Sequence, residues 1–188
     1  NTTRVTNAVG HDNYSSFLPD GTRLIFQSNR NGPLFVPNLY LINVDGTNET
    51  RLTDYPAAAA DFSPDGARIT FVGQIPPATA YGIYVMNADG TNPIRLTTTT
   101  FDGWPKLSLD GTLIAFTRDL LDGTTAQIYV MNPDGTNVRQ LTFFNAANGV
   151  SSNPKWVPST LLATRAKQFD LDGEGLADIS VFRPSEGN

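Results

Sequence analysis

Near the C-terminus, four acidic side chains have the spacing most suggestive of chemistry. Asp170, Asp172, Glu174 and Asp178, with the carbonyl of Leu176, set oxygen donors at alternating positions, and Gly175 lets the loop bend back. An all-oxygen set of this kind suits a hard cation, calcium in particular. An EF-hand loop of twelve residues would end on Glu. Val181 stands at that place, which argues against an EF-hand. The alternative is a solvated acidic turn.

Elsewhere the reactive inventory is thin. His11 is the only histidine and there is no cysteine. Disulfides and thiolate metal sites are excluded, and a zinc site has little to build on. A Ser-His-Asp triad would have to use His11 beside Asp12, and no Gly-x-Ser-x-Gly turn is present. His11 therefore reads as a loop residue, and no catalytic residue is assigned. Trp104 and Trp156 read as equivalent places near the start of inner strands. With Tyr14 and Tyr55 they could form an aromatic ligand surface, although packing between repeats is the favoured reading because aromatic rings bury so much area. Asn1, Asn13 and Asn48 each begin an Asn-x-Ser/Thr sequon, a mild sign of a secreted protein.

The elements that must position these residues come from a repeat. Ile83–Thr97 reads IYVMNADGTNPIRLT, and close copies stand at Leu39–Thr53 and Ile128–Thr142. The turn aspartates Asp45, Asp89 and Asp134 are 44 and 45 residues apart. A second landmark, Asp-Gly after Pro or Leu, recurs at Asp20, Asp65 and Asp110. Between the landmarks lie four β-rich runs per period, in the second repeat Ala58–Phe62, Ala67–Gly73, Tyr81–Asn87 and Pro93–Thr97. Four short strands in about 44 residues is the pattern of a β-propeller blade. The Ala57–Ala60 tetrad, preceded by Pro56, reads as a loop leading into an inner strand. Each Asp-Gly pair reads as a two-residue hairpin turn whose glycine takes a positive φ, so these carboxylates are structural.

Bulk properties exclude some partners. A net charge of -5 and a pI near 4.7 argue against a nucleic-acid partner. No apolar run reaches the roughly 18 residues of a membrane helix. No leader pattern is apparent, and Asn1 opens in mid-repeat: Thr3–Thr6 matches the outer-strand text Thr50–Thr53.

Ser63-Pro64-Asp65-Gly66, Ile83–Asn87, Asp89-Gly90-Thr91-Asn92 and Arg95-Leu96-Thr97, with their copies, resemble the TolB-type, WD-like Pro-Asp propeller repeats across residues 1–158. The resemblance implies a β-propeller that serves as a binding platform in the periplasm or outside the cell, or as a gating domain joined to a peptidase. Residues 159–188 read as a degenerate blade of the same propeller. Within them Asp170, Asp172, Gly173, Glu174, Gly175, Asp178 and Val181–Ser185 resemble the start of an FG-GAP or VCBS repeat, which implies a calcium loop, although Glu174 stands where that family has Asp or Asn.

The expected fold is all-β: a propeller of about four blades, each a four-stranded antiparallel meander. Ile179–Gly187 aligns with the third-strand text Ile128–Gly135, so the last blade is expected to be split, with Thr3–Thr6 supplying its outer strand within one chain or between chains. Ile25, Ile42, Ile69, Phe71, Val85, Ile114, Phe116 and Val130 are expected in the core. The expected function is a non-enzymatic extracellular or periplasmic module for protein or glycan binding and assembly. A filament subunit and a gating propeller of a hydrolase are the rivals. The insertions Gln74–Ala80 and Asp119–Thr125 are the first places to look for contacts.

Overall fold

The structure is a computed structural model that describes residues 2–31, 36–99, 101–120, 125–143, 152–156 and 179–182. All its regular elements are strands. The first blade holds β1 (Asp12–Phe17), β2 (Arg23–Ser28), β3 (Asn38–Asn43) and β4 (Thr50–Arg51). The second holds β5 (Ala57–Phe62), β6 (Arg68–Gly73), β7 (Gly82–Asn87) and β8 (Ile94–Arg95). The third holds β9 (Asp102–Leu107), β10 (Ile114–Leu120), β11 (Thr125–Met131) and β12 (Arg139–Gln140). Each is a four-stranded antiparallel meander. A two-stranded sheet follows, β13 (Ser152–Trp156) with β14 (Ile179–Phe182).

The inner strands β1, β5, β9 and β13 touch their successors in turn. Among the described residues β1 and β13 do not touch, so the described strands form an open arc. The core lies between blades. Ile25, Leu39 and Leu41 of blade 1 meet Phe62, Ile69, Phe71 and Met86 of blade 2. Ile83 of blade 2 meets Ile114, Phe116 and Met131 of blade 3. Every core residue expected from the pattern is buried. Alternation explains this, since successive strand residues face opposite neighbouring blades.

The repeated turns differ from a two-residue hairpin. The last paired residues of β7 and β8 are Val85 and Ile94, and the chain between them is held by side chains. Asp89 Oδ1 accepts from the Thr91 N–H (2.9 Å) and from Thr91 Oγ1 (2.6 Å). The Asn87 N–H donates to the Thr91 carbonyl at 3.0 Å. Both Gly90 and Asn92 take positive φ. Asp45 with Thr47 and Asp134 with Thr136 repeat this geometry. The outer run is shorter than its text, because after Arg95 a threonine takes over. Thr97 Oγ1 accepts the Ile83 N–H at 3.0 Å, as Thr53 does for Leu39 and Thr142 for Ile128.

Two further expectations are corrected. Ala57–Ala60 is part of β5, not a loop before it; the tetrad pairs with β6 and is bent by a bulge. Ile179–Phe182 takes the second-strand place, not the third. Lys155 pairs with Ser180 and Trp156 with Ile179, as Lys106 pairs with Ala115 and Leu107 with Ile114. Similar β-branched text suits either strand, and only pairing separates them.

The N-terminal segment occupies a place that later repeats identify. A Cβ on Gly90 would lie 3.0 Å from the Leu52 carbonyl oxygen, and one on Gly135 2.8 Å from that of Leu96. One on Gly46 would lie 3.1 Å from the Val5 oxygen. Arg4 Nε donates to the Thr6 carbonyl at 2.7 Å, as Arg51 does to Thr53 and Arg95 to Thr97. Val5 thus lies against blade 1 as the outer runs of blades 1 and 2 lie against their successors, packed on Phe26, Tyr40 and Ile42.

Candidate functional site

The site is built on one irregularity repeated along the arc. Tyr14, Ala59, Trp104 and Asn153 all have φ between 50° and 54°, each inside an inner strand. The strand register shifts at each of them. A non-glycine residue in the left-handed region costs about 1–2 kcal/mol, and a bulge turns its side chain away from the regular alternation. Neighbouring strands help to hold the kink. Gln27 Oε1 accepts the Ala59 N–H at 3.0 Å, and Thr117 Oγ1 accepts the Asn153 N–H at 3.1 Å.

The kinks bring two separated blades together. The rings of Tyr14 and Trp104 lie 4.8 Å apart and tilted by 59°. Ala59 lies between them in the series, and its small side chain leaves room. Tyr14 is 52% exposed, whereas Trp104 is partly buried. The other two aromatics of the expected surface lie elsewhere. Tyr55 stacks on Phe71 within the interface of blades 1 and 2. Trp156 packs on Ala115, Ile128 and Val130 and donates Nε1–H to the Lys106 carbonyl at 2.8 Å. Trp156 matches Leu107 in register, and Trp104 matches Asn153. The two tryptophans are therefore not equivalent. Strand register sets the alignment, and in it Pro105-Lys106 falls on Pro154-Lys155, a shared pair that was the signal for it.

A polar chain runs along the same strands. Ser16, Asp61 and Lys106 occupy one register position in β1, β5 and β9. Ser16 Oγ donates to Asp61 Oδ1, and Lys106 Nζ lies 3.2 Å from Asp61 Oδ2. One carboxylate thus links three blades. Sequence reasoning passed over it, although the 45-residue spacing of the three positions was a signal that could have found it.

At the end where the inner strands begin, a groove of about 580 Å3 opens between blades 1 and 2. His11, Asn13, Gln27, Asn29, Pro37, Ala58 and Tyr81 line it. The His11 N–H donates to Asn29 Oδ1 at 2.9 Å, which ties this loop histidine to β1's neighbour. Asp12 is engaged by Arg30, whose Nη2 donates to both carboxylate oxygens at 2.9 and 3.0 Å. Burial works against the Asp12 charge, but hydrogen bonds from Ser28 and Arg30 keep its pKa below the ordinary range. The Arg30 guanidinium lies over Phe26 and Tyr40. Arg118, pinned by Asp102 at 2.6 Å, lies over Phe116 and Tyr129 in the same way. These cations brace blades and are not free for a ligand.

A second groove of about 570 Å3 lies at the opposite end, between the Asp65 and Asp110 turns. Its carboxylates are engaged in their own turns. Ser63 Oγ donates to Asp65 at 2.5 Å and Ser108 Oγ to Asp110 at 2.6 Å, which lowers both pKa values. The expected cation ligands Asp170, Asp172, Glu174, Leu176 and Asp178 lie outside the described residues. Among the described residues no three His, Cys, Asp or Glu gather where they could hold a metal ion. No helix among them is long and apolar enough to cross a membrane.

No family model matches the chain. Solved structures do. A TolB protein from Agrobacterium tumefaciens aligns at TM-score 0.64 and 25% identity, over 73% of this chain and 51% of that one. TolB from Acinetobacter baumannii aligns at 0.58 and 24%, over 72% and 32%. Oligogalacturonate lyase from Vibrio parahaemolyticus aligns at 0.52 and 17%, over 78% and 42%. The chain spans about half the length of the first and a third of the second. The antiparallel blades, their stacking through inner strands and these alignments together show that the chain is built on the β-propeller architecture of the TolB structures.

Proposed function

We propose that the chain is a non-enzymatic binding module that presents the end of its inner strands to a protein partner. The observation that carries this is the Tyr14–Trp104 pair, a half-exposed aromatic contact joining two non-adjacent blades. Large aromatics with one solvent-facing side are frequent anchors of protein interfaces. The likeness to TolB supports a periplasmic or extracellular setting. We assign no catalytic role to His11. Cross-linking mass spectrometry of the chain in an extract of its source tests the proposal. A partner should cross-link near Tyr14 and Trp104, and Tyr14→Ser should abolish the cross-link. Links spread evenly over the surface would overturn it.

Strand completion, within one chain or between chains, is the second reading, favoured by Val5. Its seat against Gly46 is the seat of an outer strand, yet no strand among the described residues pairs with it. The reading holds that Thr3–Thr6 completes a blade begun by β13 and β14, giving about four blades in a closed ring or a head-to-tail filament. Native mass spectrometry separates the two, since a sharp monomer removes the filament.

A further inference from the structure

The groove between blades 1 and 2 has a chemistry that a protein anchor at Tyr14 does not require. Among the described residues, none of its lining side chains is a carboxylate, an ammonium or a guanidinium. Arg30, beside Asn29 in sequence, is paired with both Asp12 and Glu49, so it is not a free cation for a ligand. Apart from the His11 imidazole, a charged ligand would find no counter-charge among the described lining residues, and burying an unpaired charge is costly.

The polar groups among the described lining residues are the Asn13, Gln27 and Asn29 amides, the His11 imidazole and the Tyr81 hydroxyl, and two of the amides are fixed. Gln27 Oε1 is held by the Ala59 N–H and Asn29 Oδ1 by the His11 N–H. Each therefore keeps its NH2 group as a donor in a set orientation. The Asn13 amide and the Tyr81 hydroxyl have no hydrogen-bond partner among the described residues. Both can donate and accept. The rings of Tyr81 and Pro37 add apolar faces beside them. A purely apolar ligand would strand the amides without partners. Many neutral hydroxyls on a ring with a flat C–H face would satisfy both surfaces at once. The volume, about 580 Å3, falls in the range of small-molecule sites.

We propose that this groove binds a neutral oligosaccharide. The site is separate from the protein-binding reading, since it uses Asn13 and Tyr81 and leaves the Tyr14 and Trp104 side chains aside.

Calorimetry and NMR on the full chain with cellohexaose, chitohexaose, mannohexaose and maltohexaose test it. Hexagalacturonate serves as the charged control and a neutral hexapeptide as the rival ligand. At least one neutral hexaose should bind and shift the side-chain amide signals of Asn13 and Asn29. Asn13→Ala should weaken binding about tenfold, the order expected for one lost hydrogen bond in a ligand site. Tyr81→Phe should weaken it less than Tyr81→Ala, because the ring face is retained. Unchanged thermal unfolding of Asn13→Ala shows that the blade is intact. The proposal is overturned by silence from all four hexaoses at about 10 mM, a concentration at which even very weak sites fill. It is also overturned by binding that ignores Asn13→Ala, or by tighter binding of hexagalacturonate or the peptide.

Discussion

The ring of Tyr14 rests 4.8 Å from that of Trp104, although a whole blade separates their strands in sequence. Both residues hold left-handed backbone to make the contact. The strain is offset in part by a ring pair across the arc, which regular strands with outward alternation would not form.

That balance is measurable. A double-mutant cycle of Tyr14→Ala and Trp104→Ala, read by urea unfolding, should give a coupling of about 0.5–1.5 kcal/mol. Additive effects would mean the rings touch without stabilising each other. Ala59→Gly, at the kink between them, should be neutral or stabilising by up to about 1 kcal/mol, because glycine relieves a positive φ.

Asp61 links Ser16 and Lys106 across three blades, and both ends of its ion pair are about four-fifths buried. Asp61→Asn with Lys106→Met should show a coupling of about 1 kcal/mol at low salt. It should shrink at 1 M salt, where the screening length falls to about 3 Å. A coupling insensitive to salt would point to packing rather than charge.

The turn aspartates predict acid sensitivity. Hydroxyl and N–H donors of Thr47, Thr91 and Thr136 hold Asp45, Asp89 and Asp134 below the ordinary carboxylate range. A depressed folded pKa stabilises above the unfolded value, near 4. That contribution is lost as pH falls through the folded values. Melting temperature should therefore drop as pH falls below about 4. A triple Asp→Asn variant at these positions should melt lower at pH 7 and show a flatter acid limb.

Glycine replacements should separate strain from collision. Gly21 has φ +73° and nothing within 4 Å of an added Cβ, so Gly21→Ala should cost about 1 kcal/mol from backbone alone. Gly135 has φ +85° and the Leu96 carbonyl oxygen at 2.8 Å, so Gly135→Ala should cost more, about 2–3 kcal/mol. Equal losses in urea unfolding would show that the turn slides freely over the neighbouring blade.

Calcium binding by Asp170, Asp172, Glu174 and Asp178, an expectation from the sequence alone, is tested directly. Millimolar calcium should raise the melting temperature, a chelator should reverse the rise, and Asp172→Asn should abolish it. An equal response in Asp172→Asn would move the ion elsewhere.

Much of the architecture was legible in the chain itself. Repeated text fixed four strands per period, and alternation in Arg68–Val72 and its copies placed Ile69, Phe71 and Ile114 inside. The Asp-Gly pairs marked the turns, because local side-chain bonds such as Asp89 to Thr91 need only neighbours in sequence. The site was another matter. Tyr14, Ala59, Trp104 and Asn153 share no side-chain chemistry, and what unites them is a backbone angle set by pairing with the next strand. The sequence placed Trp156 beside Trp104 as an equal, and strand register set Trp156 at the place of Leu107, three positions beyond Trp104. The Ser16–Asp61–Lys106 chain and the amide-lined groove likewise arise only when blades stack. Period and turn are local properties that the sequence determines alone. Which side chains meet across blades depends on register and bulge, and those are decided by the pairing energy of the folded whole.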